Sequence, residues 1–291
     1  MTAAWRSFSA AARIGWAVDA NWTDPFVFLA LVVAKPLSAA LILVVMVQVI
    51  SGGNAGPLIA FVVVGSGLWS MVTAGIAGLP LSVLDDRERY RMLKYLYVSP
   101  ADFLLVLLGR GVGRILVGAV GSVVTLAVGI VVLGIPFDPG RIDWPLFVWG
   151  AGWGFVMVVA LSVVLAAVCL QVRQEAWSYP EAAAGALFLV TGAVFPLGVL
   201  PGPLQALGLI TPLTWWIAAV RTALFPGSPS SIGGEGSLFA SLAGHVVPTS
   251  AELAIALLAT GAVGTLASVV VFRLSERRAK DRGLIDQTTG S

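Results

Sequence analysis

Charge is scarce in this chain. Only 11% of its 291 residues are Asp, Glu, Lys or Arg, less than half the ~25% usual in soluble domains. The net charge of +2 gives no electrostatic case for nucleic-acid binding. Cysteine is almost missing: Cys169 alone excludes an internal disulfide and a multi-cysteine metal site, and its apolar setting reads as packing. A single histidine, His245, lies on a loop far from any paired group, so no metal set and no acid–base constellation is expected. Glu175 and Glu181, either side of "AWSYP", read as solvated or interfacial. The three lysines, Lys35, Lys94 and Lys280, precede Pro, Tyr and Asp. None fits G-x-x-x-x-G-K-[ST], whose lysine and amides hold phosphates, so the chain has no such ATP loop of its own. The amino terminus also lacks the continuous apolar core of a cleavable signal.

Apolar residues are abundant, 58% of the chain, with a mean hydropathy of +0.95. About 20 apolar residues cross the hydrocarbon of a membrane as a helix. Six segments qualify: 26–50, 57–83, 104–134, 145–170, 182–200 and 250–272. A seventh, 203–225, carries Pro203, Pro212, Gln205 and Arg221. Trp5, Phe8, Ala12 and Trp16 recur at helical spacing, with Arg6 and Arg13 among them, which predicts a helix over 1–22 lying in the membrane interface.

The basic residues set the orientation. With six spans and a cytoplasmic N-terminus, fourteen of the seventeen Lys and Arg fall on the cytoplasmic side, Arg141 and Arg221 outside, and Lys35 within a span. This is the positive-inside pattern. A full crossing at 203–225 would put the basic tail 273–291 outside, so that segment is expected to enter the outer leaflet and return. Broken backbone at that depth must lie against protein or water. "PGSPSSIGGEGS" (226–237) reads as an outer loop, and Thr249 with Glu252 as a capping box opening the last span.

The densest charge lies between spans two and three, in "LDDRERYRMLKYLYVSP" (84–100). Asp85 and Asp86 suit a helix start, and Ser99-Pro100 a helix end. Tyr90, Leu93 and Tyr97 share one face; Arg87, Arg91 and Lys94 populate the other. The residues alone fit two roles: an interfacial helix touching anionic lipid, or a docking helix for a cytoplasmic partner, since Tyr and Arg anchor interfaces.

Two stretches resemble the ABC-2 type transporter permeases. "RERYRMLKYLYVSPADFLLVLLGR" is similar to that family's cytoplasmic E-R-G-T-L-E-x-L-L-V-S-P loop at Leu93, Leu96, Val98, Ser99 and Pro100, with Gly109 and Arg110 following. The usual Gly and second Glu are Arg91 and Lys94 here. "GAVFPLGVLPGPLQALGLITPLTWWIAAVR" (192–221) is similar to the element G-x-x-F-P-x-x-x-L-P-x-x-L-Q-x-L-x-x-x-x-P-L-T followed by Arg.

The resemblance implies one all-α membrane domain over 1–291: an interfacial helix (1–22), six transmembrane helices, a cytoplasmic coupling helix in the loop 84–100, an outer re-entrant hairpin (201–225) and a cytoplasmic tail (273–291). It implies the permease subunit of an ATP-driven exporter in a bacterial cytoplasmic membrane, both termini inside. It would pair with a second permease chain, as homo- or heterodimer, and with a nucleotide-binding subunit holding ATP and Mg. No cofactor is expected on this chain. Docking residues would be Asp86, Arg87, Glu88, Arg89, Tyr90, Leu93, Lys94, Tyr97, Ser99 and Pro100. The outer gate or substrate path would include Phe195, Pro196, Leu200, Pro201, Trp215 and Trp216. An apolar or amphiphilic cargo, a drug or lipid, is the leading reading, and a lipid-linked glycan an alternative within the family. The rival from another class is an ion-coupled carrier, for which Lys35 before Pro36 is the clear intramembrane ionisable residue. Its other reading is structural, bonded to carbonyls freed by the proline or snorkelling.

Overall fold

The computed structural model describes residues 3–20, 25–53, 56–172 and 175–283; the remainder of the expected 1–22 helix and 273–291 tail lies outside the described residues. Eleven α-helices run through it: α1 (Ala3–Ala20), α2 (Pro25–Ile50), α3 (Gly56–Leu84), α4 (Leu93–Val98), α5 (Phe103–Val131), α6 (Trp144–Gln171), α7 (Ser178–Val190), α8 (Gly202–Ile210), α9 (Pro212–Leu224), α10 (Leu238–Ala243) and α11 (Ser250–Asp281). No strand occurs among the described residues. Five helices, α2, α3, α5, α6 and α11, are long and apolar enough to cross a membrane. The chain is an all-α, multi-pass membrane protein. The apical end carries Gly56, Trp144 and Ser250; the basal end carries Asp86, Gln171 and Glu276.

α3 is the hub. It packs on α5 and α6, which pack in turn on α1 and α11. Small residues let the backbones approach. An added Cβ at Gly109 of α5 would lie 2.6 Å from the Phe8 carbonyl oxygen, and one at Gly15 of α1 2.6 Å from that of Arg110. α1 is thus held against the basal half of α5, with Trp5 and Trp16 exposed. Three apolar clusters result among the described residues: an apical one around Phe61, Ile76, Val158 and Trp216, a basal one of Leu79, Val83, Leu93, Phe103, Leu107, Ala166 and Phe272, and a small one of Leu84, Cys169 and Ala176.

The structure adds detail at span five and at 203–225. Only Ser178–Val190 of the fifth run is regular helix, 13 residues or about 20 Å, too short to cross ~30 Å of hydrocarbon. Gly192, with φ of 69°, and the Phe195-Pro196 pair break it. α9 runs inward from the apical end. Its Ala223 carbonyl accepts from the Asp143 amide at the apical end (3.1 Å), and Trp216 lies on Gly154, ten residues or about 15 Å further in along α6. Pro212, one turn deeper, meets Gly264 of α11, about 20 Å from Ser250. There α9 meets α8 at an 81° bend, and Leu187 of α7 and Pro212 line the same cavity. The pair α8–α9 is thus bent as a re-entrant segment or a broken crossing is, and residues 191–199 carry the chain on from α7 to the apical loop, where the Leu197 amide donates to the Ser231 carbonyl (2.8 Å).

Candidate coupling surface

At its basal end α3 does not stop at Leu84. It continues through a π-helical turn, Asp85–Arg89, in which Tyr90 donates its amide to Asp85 (2.8 Å) and Met92 to Asp86 (2.8 Å). The expected single helix with Asp85 and Asp86 at its start is thus replaced by a helix end, a break and the short α4. The break is at Arg91, whose φ of 51° is left-handed. A side chain there costs roughly 1–2 kcal/mol, and glycine almost nothing. α4 ends at Val98, as Ser99-Pro100 requires; the Ser99 hydroxyl donates to the Leu96 carbonyl (2.7 Å).

Buried ion pairs hold this turn. Asp86, 3% exposed in its side chain, is bonded to Arg110 of α5. Arg114 adds a looser pair to Asp85 (3.7 Å). Arg87 is also buried; its Nη1 donates to the Cys169 and Val172 carbonyls (3.2 and 3.0 Å), and its Nη2 to Glu88 (3.0 Å). It thereby satisfies carbonyls at the negative end of α6. These residues tie the turn to α5 and α6 from inside, so Asp86 and Arg87 are not presented to a partner as the sequence reading expected.

α4 is fastened just as firmly. Leu93 is buried in the basal core. The Tyr97 ring lies 4.5 Å from Phe103, with the Lys280 ammonium 4.7 Å from its centroid. Burial first, and the nearby Glu276 charge second, push the Tyr97 hydroxyl well above its ordinary range, so it stays neutral. Asp102 caps α5 by accepting from the Leu104 amide (2.9 Å), and Arg273 of α11 donates to its other oxygen (2.5 Å). Partial burial opposes ionisation of Asp102, but the Arg273 bond and charge and the capping amides outweigh it and hold the carboxyl below its usual value. Glu276 joins Arg273 (3.3 Å) and Lys280 (3.0 Å).

What remains outside is a compact patch: Arg89, Tyr90, Arg91, Met92, Tyr95 and Val98 are exposed. Of the expected docking residues, Arg89 and Tyr90 lie on it. Glu88 is half-buried beside Arg87, Leu93 and Tyr97 serve as roots, and Ser99 and Pro100 form the exit turn. The Lys94 side chain lies outside the described part. Tyr95 and Val98 were missed in the sequence, although one turn of α4 carries both. The roles of Arg110, Asp102 and Arg273 were also missed; only Asp102, just after Ser-Pro and before an apolar run, carried a local signal, that of an N-cap.

At the apical end Trp215 and Trp216 are core residues rather than interface rings, and Trp216 fills the space left by Gly154. Phe195, Pro196 and Leu200 are half-buried and Pro201 exposed in the excursion before α8. Arg221 is fully buried. It donates to Gly192 (3.2 Å), Ala193 (3.0 Å) and Phe61 (3.1 Å), and its guanidinium lies 3.6 Å from the Phe61 ring centroid. Gly65 makes room for it, since a Cβ there would meet the Ala193 carbonyl oxygen. Arg221 thus binds α9 to α3 and to the end of α7. Lys35 is exposed, ten residues along α2 and apart from these clusters. The capping box of Thr249 and Glu252 is present, and His245, contrary to expectation, is paired: its Nε2 lies 2.9 Å from Glu252.

The arrangement can transmit force but carries no nucleophile–base pair or metal cage. No group of three or more metal-type ligands occurs among the described residues. A comparison with curated proteins returned no match. A family model, described as ABC-2 type transporter, matches residues 10–225, most of the chain, covering both the basal turn and helices α7 to α9. The chain belongs to the ABC-2 type transporter family and is a membrane permease of that kind, not itself a catalyst.

Proposed function

We propose that this chain is the permease subunit of an ATP-driven exporter that moves a hydrophobic or amphiphilic cargo, driven by a separate nucleotide-binding subunit that docks on the basal patch. The observation that carries the reading is the way the patch is mounted. Arg89, Tyr90, Met92, Tyr95 and Val98 are exposed, yet the backbone bearing them is pinned to four long helices by Asp86–Arg110, Arg87–Cys169, Leu93 and Asp102–Arg273. A push on such a patch reaches α3, α5, α6 and α11 together. Aromatic and Arg side chains of this kind anchor protein interfaces.

In this reading the basal end is cytoplasmic, supported by the concentration of basic residues there. The membrane is a bacterial cytoplasmic one, and both termini face the cytoplasm. Two permease chains, alike or different, pair with two ATPase subunits that hold ATP and Mg. Closure of the ATPase pair tilts α3 and α5 through the patch. The tilt reaches the bent pair α8–α9 and the excursion 191–210, which would act as the outer gate. The ion-coupled alternative would need Lys35 to face a pathway, and its isolation on an exposed helix face favours a structural or lipid-facing role.

The test is co-purification of the full chain with its ATPase from membranes. Arg89→Glu combined with Tyr90→Ala and Tyr95→Ala should abolish recovery of the ATPase while leaving the permease's elution profile intact. Unchanged recovery would overturn the docking assignment.

A further inference from the structure

Two cavities at the apical end share three residues. One, of about 730 Å³, opens at the apical surface between the start of α3, the turn 133–141 and the end of α9; Asp138 and Arg141 stand on its rim. The second, of about 440 Å³, lies between α5 and α6 over a floor of Leu68, Met71, Trp216 and Val220. Phe137, Leu224 and Phe225 line both, and the rings of Phe137 and Phe225, 5.7 Å apart, form the shared wall. Both volumes are in the range of small-ligand sites.

The chemistry divides between them. The lower cavity is walled by aliphatic and aromatic side chains. Its only hydroxyl, Ser122, is already bonded to the Gly118 carbonyl (3.2 Å) and to Ser70 (3.0 Å). Along α5 it runs from Ala119 to Ile130, eleven residues or about 16 Å, one leaflet's share of ~30 Å of hydrocarbon. The rim above carries one charge of each sign. The Arg141 side chain has no hydrogen-bond or ion-pair partner among the described residues. Asp138 uses one oxygen to accept from the Gly140 amide (2.9 Å), leaving its second oxygen open. Both side chains are exposed and belong to one turn, Asp138 capping the 3₁₀ turn that ends at Arg141.

We infer that this pair of cavities seats a zwitterionic amino-phospholipid of the apical leaflet. The phosphate lies on Arg141, the primary ammonium on Asp138, and one acyl chain in the α5–α6 groove against Trp216. The inference does not depend on the docking of an ATPase. Each part of the ligand has a counterpart on the protein. A guanidinium takes phosphate oxygens in a two-pronged bond. A carboxylate takes an N–H donor that a quaternary ammonium lacks. An apolar groove one leaflet deep takes a hydrocarbon chain. A glycerol head group carries the same phosphate but brings only neutral hydroxyls to Asp138, so the rim favours the ammonium, whose bond to the carboxylate is charge-assisted. The seated chain would pack on Trp216, Val220 and Leu224, so occupancy bears on α9.

The test is native mass spectrometry of the full-length chain, delipidated in detergent and titrated separately with dioleoyl phosphatidylethanolamine, phosphatidylcholine and phosphatidylglycerol. Phosphatidylethanolamine should be retained about five- to tenfold more strongly than either of the others. Arg141→Gln should lower its retention by a similar factor, and Arg141→Lys should restore most of it. Asp138→Asn should remove the preference over phosphatidylglycerol, and Ala127→Trp, which fills the groove, should weaken all three lipids. Equal retention of the three lipids by the wild-type chain would overturn the inference. So would unaltered retention by Arg141→Gln, or a second copy of the chain displacing lipid from the groove, seen as dimers from which lipid is excluded.

Discussion

Replacing Arg110 by Met tests the mounting of the basal patch most directly. Arg110 and Asp86 are 10% and 3% exposed in their side chains, so water screens the pair little. In Arg110→Met the Asp86 carboxylate stays buried and loses the guanidinium bonded to it. Stranding one charge of a buried pair costs about 3–5 kcal/mol, whereas replacing both by apolar groups of similar volume costs little. The expected result is a loss of about 3–5 kcal/mol for Arg110→Met and a comparable loss for Asp86→Leu. The double variant should return to within about 1–2 kcal/mol of the parent, a coupling of at least about 4 kcal/mol. Reversible unfolding in mixed micelles, read by tryptophan fluorescence, measures all four corners of the cycle. The double variant should also uncouple: its fold is kept, but the turn is no longer specified by a directional bond, so stimulation of the partner ATPase by cargo should fall. Additive losses, or an Arg110→Met chain as stable as the parent, would refute the assignment of this pair as the anchor.

Two further outcomes follow from the same region. Arg91→Gly removes a side chain from a left-handed backbone position (φ of 51°) and should stabilise the chain by about 1 kcal/mol in the same unfolding assay; a loss would mean that Arg91 has a compensating contact. The Asp102 carboxyl titrates lower in the folded chain than in the unfolded one, so its contribution is complete above the ordinary ~3.9 and is lost as pH falls through the depressed folded value. Asn still caps a helix, so Asp102→Asn isolates the bond to Arg273. The stability gap between parent and Asp102→Asn should be open at pH 7 and close below about pH 4, as followed by unfolding midpoints; a gap constant with pH would rule out an ionic role.

Local pattern was legible along the chain. The four apolar runs that became α2, α3, α5 and α6 matched their helices to within a few residues, because uninterrupted hydrocarbon in a lipid solvent leaves the backbone no alternative to internal hydrogen bonding. Ser99-Pro100 and the Thr249–Glu252 box marked a helix end and a helix start through backbone chemistry that is complete within four residues. The fifth run misled on helix length alone: 182–200 is apolar throughout, yet Gly192 and Phe195-Pro196 end the regular helix at Val190, and composition alone does not weigh a break against hydropathy. The basal turn misled in the opposite way. A row of Asp, Arg and Glu reads as a solvated face, and half of it is buried because its partners lie 24 and more than 80 residues away.

The sequence by itself determined the solvent of this protein, the approximate place of most of its long helices, the end at which its basic residues gather, and the lack of a phosphate-binding loop. Each of these depends on composition or on neighbours in the chain. The tertiary structure alone decided which charges are spent inside and which stay exposed, and that Arg221 ties α9 to α3 and to the end of α7. Those outcomes depend on Coulomb and hydrogen-bond terms between residues far apart in the chain. Their strength is set by burial, a property that comes into existence only when the helices pack.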